Sequence, residues 1–251
     1  MLNDLLLLSG NDIPYEAAQL TLHQPTIKEI GYIGEETFYT GCEFLRFNKD
    51  NLGPEDRERL INYSDFEILM SLMREKDPVI MKNRVCVELV MTLIFPHLHF
   101  SMKDMEMIFE DKDNQLVMKI NKDNYEGFLK VIIAMFCLKG DGENGTDFNP
   151  SGDLARRIAN KLKDRHKKLA EAKPETAKIS ILSRYISILT VGEKKDMNEL
   201  LNYTIYQLFD EFKRYELKTA YDMYIQAKMA GAKDLKEVED WMQDIHPEIY
   251  K

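Results

Sequence analysis

The residues able to do chemistry are scattered, and most lack partners at the spacing that chemistry needs. His97-Leu98-His99 puts two imidazoles on one side of an extended chain. A zinc site would need one or two more ligands, and no nearby Cys, His or Glu supplies them. The tripeptide reads instead as a turn from helix to strand. Asp141-Gly142-Glu143-Asn144-Gly145-Thr146-Asp147 has the acid and glycine content of a calcium loop. Its twelfth position is Gly152, where an EF-hand requires a bidentate Glu, and its glycine falls one place early. Neither a phosphate-cradling G-x-x-x-x-G-K-[ST] nor a G-x-S-x-G elbow occurs. Cys42, Cys86 and Cys137 form no C-x-x-C pair and carry no local nucleophile signature. They read as free buried thiols of a reducing cytosol. Glu35-Glu36 and Asp210-Glu211 are adjacent acids among 43, which reads as solvated helix faces. The expectation is a protein without catalysis, metal or cofactor.

Two segments have the composition of binding surfaces. Residues 151–173 hold eight Lys/Arg against three Asp/Glu, a local balance of +5. Arg156, Arg157, Lys161, Arg165 and Lys168 could line one helix, with Leu154, Ile158, Leu162 and Leu169 as its apolar edge. Three readings stay open: a solvated amphipathic helix, a contact for an acidic surface in this protein or a partner, and phosphate neutralisation on a nucleic acid. No interleaved aromatics suggest base stacking, so nucleic acid is disfavoured. The second segment is rich in tyrosine. Leu201, Ile205, Leu208, Phe212 and Tyr215 recur at 4, 3, 4 and 3, a stripe able to pack on another helix. Tyr203, Tyr206, Phe209, Tyr215, Tyr221 and Tyr224 are the candidate partner-binding residues, because such rings favour interfaces. The alternative is that these rings pack inside the domain.

The elements that must position these residues are mostly helical. Thr26-Ile27-Lys28-Glu29 and Ser64-Asp65-Phe66-Glu67 are capping boxes. Gly31, Gly34 and Gly41 weaken the helix that Thr26 opens. They either break it in two or admit a close neighbour. A short strand is expected over 19–24. Pro78 suits a first helical turn. Arg84, Glu88 and Thr92 recur every four residues and make 85–95 a helix buried on most sides. Residues 105–109 and 115–120 flank a polar turn as a hairpin. Asp123-Asn124-Tyr125-Glu126 caps a core helix through Phe136. A helix follows over 179–191. Asp196-Met197-Asn198-Glu199 caps a long one that bends or divides near Tyr215. Asp234-Leu235-Lys236-Glu237 caps the last, with Val238, Trp241 and Met242 on one face. The fold class is mainly α (α+β).

Composition sets the outer bounds. The chain has 251 residues, 44% hydrophobic and 31% charged, which suits a folded protein with a substantial core. Residues 5–8 are apolar but far too few to span a bilayer, and they lack a basic leader. They read as an arm docking on the body. No membrane is expected. The net charge of −9 disfavours an overall basic nucleic-acid binder. Taken by segment, it is a −14 body carrying the +5 stretch. The division expected is a mixed domain over 1–140, a Gly-rich acidic linker over 141–152 and a helical domain over 153–251.

Three stretches carry a resemblance. Leu200-Leu201-Asn202-Tyr203-Thr204-Ile205-Tyr206-Gln207-Leu208-Phe209-Asp210-Glu211-Phe212, continuing from Tyr221 to Asp234, resembles tail-morphogenesis proteins of tailed phages and prophages of Gram-positive bacteria. Residues 20–30 and Phe148-Asn149-Pro150-Ser151-Gly152-Asp153 are similar to the same group. The likeness is general, and the members it points to are the tail assembly chaperones that accompany the tape measure protein. That resemblance implies a non-enzymatic helper in the host cytoplasm. It would hold the long, aggregation-prone tape measure protein until tail tube protein encloses it. The alternative is a structural virion component: tail, connector or baseplate. Self-association stays open, and no contact residue carries over from the family.

Overall fold

The computed structural model describes residues 3–15, 20–49, 58–138, 180–232 and 238–243. The linker over 141–152 and the basic residues Arg156, Arg157, Lys161, Arg165 and Lys168 lie outside the described residues.

Short capped helices build the first half. Helix α1 (Asp4–Ser9) takes its N-cap from Asn3 and stops at Gly10, whose φ is 68°. A hairpin of β1 (Ile13–Tyr15) and β2 (Leu20–Leu22) follows. Thr26 then opens α2 (Ile27–Ile33) with both arms of the capping box made. Gly34 ends α2 at φ 87° and starts α3 (Glu35–Leu45), so this glycine does break the helix in two. Gly41 serves the other purpose, close packing. It faces the backbone of Cys86 in α5 (Pro78–Ile94). Between them, Ser64 caps α4 (Asp65–Leu72) through a second complete box. Pro78 is the first residue of α5, behind an Asp77 side chain that accepts from Val79 and Ile80 N–H. Arg84 and Glu88 pair along the exposed side of α5 at 2.9 Å.

The expected hairpin is present and has a third strand. β3 (His99–Lys103), β4 (Glu106–Glu110) and β5 (Leu116–Ile120) form an antiparallel sheet in chain order, with a bulge at Phe109/Glu110. Alternation in 99–103 is blurred by Lys103 and half-buried Phe100, Ser101 and Met102, which hides it from periodicity. Asp111 closes the polar turn, its Oδ1 accepting from Asp113 and Gln115 N–H. Helix α6 (Tyr125–Met135) buries Tyr125, Phe128, Ile132 and Met135. The expected cap is corrected: Asn124 makes no side-chain cap bond. Its Oδ1 accepts instead from Asn121 N–H, tightening the turn before the helix.

Three further helices complete the described chain: α7 (Ile181–Gly192), α8 (Met197–Leu201) and α9 (Ile205–Met229). Here two expectations fail. Asp196 caps only the five-residue α8, because Asn202-Tyr203-Thr204 turns the chain and Thr204 starts a new helix with its own capping box. Of the two alternatives near Tyr215, a division is excluded, because that new helix runs unbroken from Ile205 to Met229. The expected last helix is absent from the described residues 238–243, where Trp241 and Met242 form a turn. The mainly helical α+β class holds, with nine helices and two small sheets among the described residues.

One apolar cluster runs through all of these elements. It joins Phe38, Phe95, Phe109 and Phe128 to Leu182, Leu189, Leu200, Tyr206 and Leu208. Backbone links reinforce it: Ile27 N–H donates to Tyr203 O at 2.8 Å, and Thr26 bridges Thr204. The apolar arm over 5–8 is α1, and Leu7 is buried while Leu5 faces out.

Candidate partner-binding surface

Helix α9 carries most of the predicted binding residues, and its setting decides which of them face outward. Its first turn is clamped. Gln207 completes the Thr204 capping box with Oε1, and its Nε2 donates to Leu8 O at 2.8 Å. Tyr206 is fully buried and its hydroxyl donates to the Asp4 carboxylate. Burial, then the Asp4 hydrogen bond, push that phenol far above its ordinary range. Tyr206 is therefore a core residue holding α1, which corrects its reading as a contact for a partner. A sequence pattern cannot separate it from its neighbours, because its burial depends on an arm 202 residues away.

The next turns pack on α7. Tyr185 stacks on Phe212 with ring centres 3.7 Å apart and planes 6° apart, and meets Phe209 edge-on at 5.2 Å. Tyr215 lies over Gly192, so close that a β-carbon there would sit 2.4 Å from its hydroxyl. Tyr203 belongs to a polar cluster. Lys195 Nζ donates to its hydroxyl at 2.9 Å and pairs with Glu211 at 3.0 Å, while the Tyr203 hydroxyl donates to Glu199. Burial alone would lower the Lys195 pKa. The Tyr203 and Glu211 contacts outweigh it and raise the value, so the amine stays charged. Glu211 is thus half of a structural ion pair and not merely a solvated acid.

Past Leu217 the helix changes character. Leu217 is the last buried residue of α9, and the twelve residues to Met229 span about 18 Å. Tyr221, Tyr224 and Ile225 are half-buried there, and Met223 and Met229 are 65% and 83% exposed. Lys228 Nζ sits 5.7 Å from the Tyr224 ring centre. Residues 241–243 return to the root of this half, where Arg214 donates to Trp241 O and Gln243 O. Tyr221 and Tyr224 are thus half-buried beyond the last buried residue of α9, Tyr203, Phe209 and Tyr215 sit in partly covered contacts, and Tyr206 is buried.

A second surface was not singled out from sequence. Helix α3 presents Glu36, Tyr39 and Glu43 on one face, and with Glu35, Phe44 and Ile181 they line an open groove of about 720 Å³. Glu35 Oε1 accepts from Ile181 N–H at 2.9 Å and from Leu182 N–H at 3.4 Å, capping α7 from the far half of the chain. The Glu35-Glu36 pair was the visible signal, but acid pairs are too common for it to stand out.

The remaining candidates are placed as follows. His97 lies in the turn before β3 and His99 opens the strand, both exposed. No group of three or more His, Cys, Asp or Glu among the described residues is arranged to hold a metal ion. The loop over 141–147 is outside them. Cys42 and Cys86 are buried and Cys137 is half-buried. No described helix is long and apolar enough to cross a membrane.

Residues 173–246 match the family model of the YomV second domain, a phage-associated family. The match covers under a third of the chain and contains α7, α8, α9 and the return segment. No curated protein and no solved structure shows significant similarity to the chain.

Proposed function

We propose that this protein is a phage tail assembly chaperone that binds the tape measure protein and keeps it soluble until tail tube subunits enclose it. The observation carrying this reading is the phage-associated match, which falls on the region containing α9. The distal half of that helix offers Tyr221, Met223, Tyr224 and Met229 beyond the core. An apolar helical face recognises another amphipathic helix by side-chain packing, and methionine adapts to irregular surfaces. Contacts of this kind are individually weak, which suits a partner that must later be released. The role is binding, not catalysis, and its place is the cytoplasm of the bacterial host.

Co-expression with the tape measure protein tests the reading. The expected result is a soluble complex that survives purification. A tape measure that stays insoluble and fails to co-purify would sink the proposal. Mass spectrometry of purified particles separates the second reading, a structural virion component, because a chaperone is absent or scarce there.

A further inference from the structure

Helix α5 is apolar on two opposite faces. Its inner face buries Cys86, Val87, Val90, Met91 and Ile94. On the outer face Pro78, Met81, Val85 and Leu89 recur at 3, 4 and 4, a stripe at helical spacing. Met81 and Val85 are 53% and 52% exposed, and Leu89 is half-buried. A helix that is hydrophobic all round is normally covered on every side. The outer stripe of α5 therefore has the composition of a buried surface and the exposure of a free one.

The charges beside the stripe indicate what covers it. Arg84 and Glu88 lie on one flank, one residue before Val85 and three after it. They pair within the helix through Arg84 Nε and Glu88 Oε1 at 2.9 Å, both half exposed. A guanidinium has five N–H donors, so the terminal nitrogens of Arg84 can serve a second carboxylate. Two copies of α5 laid antiparallel about a twofold axis at Val85 supply one. The axis reverses the order of the flank, so each Arg84 comes within about 3 Å in height of the Glu88 of the other copy. The same axis sets Val85 on Val85 and Met81 level with Leu89. A parallel arrangement would instead put Arg84 beside Arg84 and Glu88 beside Glu88. The face is thus complementary to itself in one orientation, as a twofold contact requires.

We propose that the outer face of α5 is a homodimer contact, formed by antiparallel packing of this helix on that of a second copy about Val85. The strip is about 26 Å long and about 10 Å wide, one helix of 17 residues. That is below the about 1,200 Å² of a standard interface, so the dimer is of the weak, reversible kind. This face is separate from the distal half of α9 and does not depend on the chaperone reading.

Sedimentation velocity on the full-length chain tests it, from about 1 μM to about 1 mM, the range of weak complexes. The wild-type mass rises with concentration toward that of a dimer. Val85→Glu sets two like charges on the axis and weakens association at least about tenfold. Arg84→Glu and Glu88→Arg are each monomeric alone, and an equimolar mixture of the two associates again, because every flank contact between unlike copies is then attractive. Unchanged circular dichroism shows that each variant is folded. Val79→Glu is the control, since Val79 is 67% exposed but lies off the stripe, and it associates as the wild type does. Three results would overturn the proposal: a wild type that stays monomeric throughout, which leaves the stripe to a different occupant; association indifferent to Val85→Glu, which places the contact elsewhere; or charge variants that do not recover on mixing, which excludes the antiparallel pairing.

Discussion

Gly41 of α3 lies against the main chain of Cys86 in α5. A β-carbon at position 41 would stand 2.6 Å from the Cys86 carbonyl oxygen and 2.8 Å from Val90 Cγ2. The obstacle is backbone at the centre of the α3–α5 packing, where both helices are buried, so relief requires the helices to move apart. Gly41→Ala is expected to destabilise the protein by about 1–3 kcal/mol, the range for overpacking a close-packed interior. Gly31→Ala is the control. Nothing lies within 4 Å of a β-carbon there, and the residue is exposed in α2. It should stabilise by about 0.5–1 kcal/mol through helix propensity alone. Urea midpoints that shift the same way for both would refute this account.

The two halves of the chain also meet through Glu35. Its Oε1 accepts from the first two N–H groups of α7, where the helix dipole favours an anion. Glu35→Ala leaves those donors without that acceptor and is expected to cost about 1–2 kcal/mol. Glu35→Gln keeps an oxygen in place and should cost less. Equilibrium denaturation reads both, and an alanine variant as stable as the wild type would mean water replaces the carboxylate fully.

These two contacts mark the boundary of what could be read without coordinates. Local chemistry was legible. Thr26 and Ser64 set their helices through bonds spanning three residues, Pro78 fixed a first turn, and Asp111 closed the hairpin. Each signal sits inside one short window. Contacts between distant segments were not legible. Nothing near Tyr206 announces that Asp4 will receive its hydroxyl, and nothing near Glu35 announces Ile181. The α8–α9 break was missed for a subtler reason. Asp196 and Thr204 are both good caps eight residues apart, and the apolar spacing runs smoothly across them, so only the observed turn shows that both are used. On the candidate surface, the tyrosine-rich segment was found, but which rings face outward follows from α1 and α7, which the pattern of α9 does not contain.

His23 makes stability depend on pH. Its Nδ1 lies 3.0 Å from Asp12 Oδ1 and its Nε2 lies 3.2 Å from Glu29 Oε1. Burial would lower its pKa, but the hydrogen bonds to Asp12 and Glu29 outweigh burial and raise it above 6.5. A raised histidine stabilises fully below its unfolded value and loses that contribution as pH rises through the folded one. Glu29 moves the other way. Burial would raise it, but the Thr26 N–H and hydroxyl and His23 lower it below 4.5, so its contribution is lost as pH falls through the folded value. Both are present together near pH 5–6, an interval of about one unit between the ordinary values of the two groups. His23→Gln should therefore cost most there, about 1 kcal/mol or less because Asp12 is half exposed. The difference from wild type should shrink toward pH 8. A difference that is flat in pH would show that the two carboxylates do not hold the charged ring.

The six aromatic residues proposed for partner contact should separate into two groups when substituted. Phe209→Ala removes a ring packed on Tyr185 and is expected to cost about 3 kcal/mol. Tyr206→Phe removes the donor to Asp4 inside the core and should cost about 1–3 kcal/mol. Neither change reports on binding, since both act through the fold. Tyr221 and Tyr224 stand beyond Leu217, the last buried residue of α9. Replacing both with alanine should leave the thermal midpoint within a degree or two, the scale of about 0.5 kcal/mol in a chain of this size. The same double variant should recover at least about tenfold less tape measure protein on co-purification, the scale for losing an aromatic anchor from an interface. If it binds as well as the wild type, the distal half of α9 is not the contact surface. If it melts early, those rings support the fold as Tyr206 does.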